Sequence, residues 1–260
     1  MTAAAPVEDA FARPRTRLHG LDASTTLEHF AIVTFDVDPD ALAAVLPRGL
    51  TAEIRTLDDG RRRGFVSAVS FRDVDFRFAM APRIRRSFFQ TNYRAYVFGP
   101  DGERSVFFFG TTLDSLFVAI PRHVWWMPWH GGATRIDADW DDDGRCVSYR
   151  HSCRRSWGTA IALLEGSSEP AGRLDGFADA DDAALVLTHP LDGWFRRPDD
   201  RLGRYSVWHE RLTPQLGTAS LVRYLVFERL GLVEEGEAPH SVLLQRSVEF
   251  DVHLPPVSPY

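Results

Sequence analysis

Gln90-Thr91-Asn92-Tyr93-Arg94-Ala95-Tyr96-Val97-Phe98 is followed by Gly99-Pro100-Asp101-Gly102 and then by Ser105-Val106-Phe107-Phe108-Phe109-Gly110-Thr111-Thr112. Aromatic and β-branched residues dominate both flanks, as pleated strands favour. Pro followed by Asp-Gly between them supplies the fixed and left-handed dihedrals of a tight turn. The stretch therefore reads as a hairpin. A second hairpin follows, Thr134–Trp140 and Arg145–Arg154 around Asp141-Asp142-Asp143-Gly144.

Working outward, Phe30–Phe35 reads as a strand. Asp38-Pro39 then signals a helix with Asp38 as N-cap and Pro39 at its first position, running through Ala43 and stopping near Pro47. Gly64–Phe78 has broken alternation, as a long strand with a bulge would. Leu113–Trp126 is apolar and partly helical, Thr159–Leu164 is a strand, and Glu165–Asp182 is a Gly-, Ser- and Asp-rich loop. Ala183–Trp194 includes a short helix interrupted by Pro190. Arg204–Glu210 is a strand, Ala219–Leu230 has helical spacing capped by Gly231, and Val242–Leu254 is a strand. Strands dominate without regular βαβ alternation. The expected fold is mainly β (α+β), a curved or closed antiparallel barrel with a few flanking helices, in one domain over residues 26–260. Residues 1–25, rich in Ala, Pro and Arg near the start, read as a flexible arm without the apolar core of a signal peptide.

Composition excludes some chemistry. The 30 basic residues are all arginine. A Schiff base needs an amine that can lose its proton, which guanidinium cannot supply. A phosphate loop of the Walker type and a Gly-x-Gly-x-x-Gly dinucleotide motif are both missing, so no cofactor is expected. The net charge of −6 argues against general nucleic-acid binding, and no run of 18 apolar residues predicts a membrane span. Cys146 and Cys153, if they share one strand, lie about 23 Å apart on opposite faces, so a disulfide is not expected. Two free thiols point to a reducing cytoplasm.

Two constellations carry the candidate site. Strand parity puts Asn92, Arg94 and Tyr96 on one face: an amide, a guanidinium suited to bidentate capture of a carboxylate, and a phenol. The competing reading is a polar strand edge facing solvent. The second is Asp114-Ser115 with Ile120-Pro121-Arg122-His123-Val124-Trp125-Trp126-Met127-Pro128-Trp129-His130, an aromatic wall that lines a pocket or simply fills a core. His123 and His130 lack metal spacing and a third ligand nearby, so no metal site is expected.

These segments, with Val106-Phe107-Phe108-Phe109, resemble the YqjF-like family of uncharacterised bacterial proteins, in the acetoacetate-decarboxylase-like superfamily. The resemblance spans about His29 to Pro255 and implies a cone-shaped antiparallel β-barrel with an internal cavity. The decarboxylases of that superfamily carry Arg-Glu, then Gly, then Pro-Lys-Lys. Here Arg122 matches the Arg, His123 replaces the Glu, Trp126 replaces the Gly and Pro128 matches the Pro. Trp129 and His130 stand at the two lysine positions. The resemblance thus implies the fold and the cavity without the Schiff-base mechanism. It places Asn92, Arg94, Arg122, Trp129 and His130 around one pocket, with part of the Phe107–Phe109 strand.

Three functions stay open. The first is a barrel that binds a small, partly apolar carboxylate or carbonyl compound, with Arg94 or Arg122 holding the acid. The second is a lysine-independent lyase or isomerase using His130 as general acid or base, oriented by Asp114. The third is an interaction protein with a filled barrel. A homo-oligomer is compatible with all three.

Overall fold

The computed structural model describes Phe11 and residues 13–154, 157–167 and 172–258. Among these, fourteen strands follow in chain order: β1 (Ala23–Val37), β2 (Thr51–Ala52), β3 (Arg55–Thr56), β4 (Arg62–Phe78), β5 (Arg86–Phe98), β6 (Arg104–Leu113), β7 (Trp129–Gly131), β8 (Ala133–Trp140), β9 (Cys146–Arg154), β10 (Ala160–Gly166), β11 (Asp192–Arg196), β12 (Leu202–His209), β13 (Gln215–Tyr224) and β14 (Ser241–Val257). Four α-helices intervene: α1 (Pro39–Val45), α2 (Ala119–His123), α3 (Ala180–Thr188) and α4 (Leu225–Arg229), with a 3₁₀ turn at Leu116–Val118.

Seven strands close a barrel in the order β1-β4-β5-β6-β11-β12-β14, with β14 pairing back to β1. Closure leaves no unpaired edge around the interior. Its pairings are antiparallel except β6–β11, which is parallel. β14 also leads through β13 into β10, β9 and β8. This second layer covers the outward face of β1, β4 and β5, where Ala31, Val33, Phe35, Ala68, Tyr93 and Ala95 meet Tyr149, Ala162 and Leu164 in one core. The side chains of opposite parity point into the barrel: Leu27, Phe30, Val69, Phe71 and Phe108 form the second core.

Local chemistry matches most expected elements. Asp38 caps α1 by accepting from the Asp40 and Ala41 amides, with Pro39 at the first helical position. The expected bulge in β4 falls between Asp73 and Phe76, and Asp75 takes φ +57° there. A matching bulge in β1 has His29 at φ +52°.

Three expectations are corrected. Ala219–Tyr224 belongs to β13 and only Leu225–Arg229 is helical, because the ladder to β10 overrides the helix-like spacing. The expected loop Glu165–Asp182 contains the start of α3, capped by the Asp179 carboxylate accepting from the Asp182 amide. Cys146 and Cys153 share one face of β9, because a bulge opposite Asp139 and Trp140 inserts an extra residue. Both thiols are buried and unbridged.

Of the expected arm, residues 1–10 and 12 lie outside the described residues. Arg13 pairs with Asp192 at 3.1 Å, and Arg15 grips the fully buried Asp251 through Nε at 2.6 Å and Nη2 at 3.0 Å. The strand of the barrel itself begins at Ala23.

Candidate functional site

The barrel interior is not filled. It holds a cavity of about 100 Å³, bordered by β1, β4, β5, β6, β12 and β14 and covered by Phe117, Pro121 and Trp125 of the α2 segment. That segment divides at helical spacing into two apolar faces. Its Phe117, Pro121 and Trp125 face the cavity, while Leu116, Ile120 and Val124 face outward and are exposed.

Arg94 enters the cavity from β5 and is only 9% exposed. Its Nη2 donates to the Leu187 carbonyl at 2.7 Å and to the Tyr96 hydroxyl at 3.4 Å. Tyr96 in turn donates to the same carbonyl at 3.1 Å and lies 2.8 Å from Ser67 Oγ, which lies 2.8 Å from Thr34 Oγ1. The phenol therefore positions Arg94 from behind. Among the described residues no carboxylate pairs with Arg94, and its buried Nε has no partner. A buried charge left in this state costs several kcal/mol.

Asn92 stands one inward position away on the same strand. Its Oδ1 accepts from Gln90 Nε2 at 2.8 Å and from Thr111 Oγ1 at 2.9 Å. Those two bonds fix the orientation of the amide in the cavity wall that Asn92 lines.

The other sequence-derived residues divide. Trp129 borders the cavity. Arg122 and His130 do not: they line an outer groove of about 710 Å³ with His123, Trp126, Arg196 and Arg197. Trp129 and Met127 form the wall between the two spaces. The expectation of one ring of five is thus corrected. The reason is strand parity: β7 pairs with β6, so Trp129 turns inward and His130 turns outward onto Trp157, with ring centroids 4.5 Å apart. Arg122 sits on the exposed side of α2, opposite Pro121.

The expected pairing of His130 with Asp114 is corrected as well. Asp114 Oδ1 accepts from the Phe89 amide at 2.7 Å, tying β5 to the end of β6. Burial raises the Asp114 carboxyl above its usual range, opposed by that hydrogen bond. Burial and the adjacent Arg122 charge hold His130 below its ordinary value, so it is neutral at pH 7. Of the Phe107–Phe109 strand, Phe108 borders the cavity, while Phe107 and Phe109 pack into the outer core.

Three polar residues escaped the sequence reading. Asp73 reaches the cavity from β4 and is 4% exposed. Its Oδ1 lies 3.1 Å from Thr25 Oγ1 and its buried Oδ2 has no partner. Burial pushes this carboxyl up to about 8. The parity signal was present, since Val69, Phe71 and Asp73 alternate inward. His209 and Tyr205 border the opposite side from β12. His209 Nδ1 donates to the Glu210 carbonyl at 2.7 Å, and burial lowers the ring to about 4. Burial raises the Tyr205 phenol, which stacks on Phe108 at 5.5 Å.

Solved structures similar to this chain share its architecture. The enduracididine biosynthesis enzyme MppR complexed with pyruvate superposes with a TM-score of 0.59 at 14% identity, over 93% of this chain and 91% of that one. An acetoacetate decarboxylase from Legionella pneumophila gives 0.55 at 15%, over 98% and 95%. An acetoacetate-decarboxylase-like enzyme from Sphingomonas wittichii RW1 gives 0.59 at 12%, over 95% and 97%. The fold is therefore of the acetoacetate-decarboxylase-like class. The family model DUF2071, described as "Uncharacterized conserved protein (COG2071)", matches residues 24–249. The chain belongs to that family, the YqjF-like group. A search of curated proteins finds no match.

Proposed function

We propose that this protein binds a small, partly apolar carboxylate or carbonyl compound in the barrel cavity. The observation that carries this reading is Arg94: a guanidinium held inside an apolar barrel, without a carboxylate among the described residues and with an unpartnered Nε. A ligand carboxylate supplies the missing charge and acceptors. The Asn92 NH2 group then donates to a carbonyl oxygen beside it. MppR, which shares the fold, is complexed with pyruvate, an acid of this kind. No Schiff base forms, because the chain has no lysine. Borohydride treatment with acetoacetate should leave the protein's mass unchanged, and an adduct mapping to the interior would overturn this part. Two buried, unbridged thiols support a cytoplasmic location.

Titration calorimetry with pyruvate, acetoacetate and hexanoate tests the reading. Arg94→Leu should weaken whichever acid binds the parent by roughly tenfold to a hundredfold, the worth of a charged hydrogen-bonding pair. Its melting temperature should fall only slightly. If the variant unfolds and no acid binds the parent, Arg94 is a structural residue of the Leu187 contact and the reading fails.

A further inference from the structure

We propose that the face formed by the end of the β4–β5 hairpin and the outward side of the α2 segment docks on an anionic lipid bilayer. The inference stands apart from how the cavity is filled.

Ten large apolar side chains are exposed among the described residues, and six of them fall in two short stretches. Met80 and Ile84 lie at the hairpin end, between β4 and β5. Leu116, Ile120, Val124 and Trp126 lie on the α2 segment. The Phe78 and Phe117 rings, with centroids 5.6 Å apart, hold the two stretches side by side. Leu116 is 96% exposed, Met80 67% and Val124 66%, so these side chains protrude from the surface.

Charge names the partner. Residues 79–87 and 115–132 contain no acid, in a chain whose net charge is −6. They carry Arg83, Arg85, Arg86 and Arg122, all exposed. Asp75, outside these stretches, pairs with Arg85 at 2.8 Å. The bordering Asp114 carboxylate accepts from the Phe89 amide. Among the described residues no carboxylate pairs with Arg83, Arg86 or Arg122. A negative surface supplies the charge that these three arginines lack.

A second copy of the chain does not supply it. A two-fold contact through this face sets the arginines against their own copies, with no acid in either stretch to answer them. A bilayer meets each feature. Fluid lipid takes up protruding apolar side chains without complementary pockets, and arginine and tryptophan both settle at the headgroup level. The contact is peripheral, since among the described residues no helix is long and apolar enough to cross a membrane. Phe117, Pro121 and Trp125, on the inner side of the same segment, cover the cavity, so docking sets that cover against the lipid.

The test is sedimentation of the full chain with vesicles of phosphatidylcholine alone and of phosphatidylcholine mixed equally with phosphatidylglycerol. At low salt the parent should bind the mixed vesicles at least about tenfold tighter, because each arginine near the surface contributes about fivefold. Leu116→Ser combined with Val124→Ser should weaken that binding about tenfold or more. Arg83→Gln combined with Arg86→Gln should weaken it roughly tenfold to thirtyfold. Val147→Ser combined with Leu221→Ser, which alters exposed apolar residues of β9 and β13, should leave it unchanged. Where one pair of changes prevents folding, the other still locates the face. No binding, equal binding to the two vesicles, or binding that survives both pairs would each overturn the proposal. Two further results would do so in the absence of vesicle binding. A dimer that the Leu116 and Val124 changes dissolve would assign the face to a second copy, and binding of polyglutamate would assign it to an acidic protein.

Discussion

At the scale of single residues, the site was legible where strand parity alone decides. Asn92 and Arg94 alternate inward on β5, as their spacing requires. His130 was placed by the superfamily match and not by parity, which puts the consecutive strand residues Trp129 and His130 on opposite faces. Asp73 carries the same parity signal, alternating inward with Val69 and Phe71 in the expected strand Gly64–Phe78. Trp126 is a separate case. It adopts φ +57° at the position where the decarboxylases that the chain resembles carry glycine. A side chain in this left-handed region costs about 1–2 kcal/mol. Arg197 lies over the indole at 4.6 Å, which returns about 0.5–1 kcal/mol at an exposed site. Trp126→Gly should therefore change stability by less than about 1 kcal/mol, whereas Trp126→Val, without the ring and with a branched Cβ, should lose about 1–2 kcal/mol. Chemical denaturation of both variants checks the difference.

At the scale of elements, the bulge in β4 controls what the strand presents. Asp73 and Phe76 both border the cavity although they stand three positions apart, an odd spacing that regular alternation forbids. The left-handed Asp75 absorbs the extra residue, and its carboxylate pairs with Arg85 at 2.8 Å on the surface. Asp75→Gly should be nearly neutral, because an exposed pair is worth little and glycine accepts the conformation. Asp75→Val should destabilise by roughly 1–2 kcal/mol, since it strains the left-handed turn. Equal melting temperatures for the two variants would contradict this. The bulge was legible as broken alternation in Gly64–Phe78. The bulge in β9 was not, and neither was β13, because in both the deciding partner is a strand distant in sequence.

At the scale of the whole molecule, three buried titratable groups shape stability against pH. His151 is fully buried beside Thr91 Oγ1 at 2.9 Å, and burial lowers it to about 4. His209 sits at about 4 too, lowered by burial and further by His189 and Arg94. An unfolded histidine titrates near 6.5. Below that pH the unfolded chain takes up protons that the native state refuses, so stability falls from about pH 6.5 toward 4, by about 3 kcal/mol for each ring. Asp73 acts in the opposite direction. Its native carboxyl keeps a proton up to about 8, while the unfolded one has lost it near 4, so stability falls as pH rises across that window. The two trends place the maximum near pH 6.5. Urea unfolding across pH 4 to 9 should show it, and Asp73→Asn should flatten the alkaline side. An unchanged alkaline decline in that variant would remove Asp73 from this account.

The pairing of β14 with β1 also bears on how the cavity comes into being. Ala23 lies opposite Val252, and the ladder continues to Thr34 opposite Ser241. Until these partners meet, the sheet is open along the β1–β14 seam and its interior face meets water. Bringing together segments so remote in sequence is slow, on the order of milliseconds to seconds even in small β proteins. A nascent chain therefore carries the Phe-rich lining unprotected through that interval, where it is a target for chaperones and for self-association.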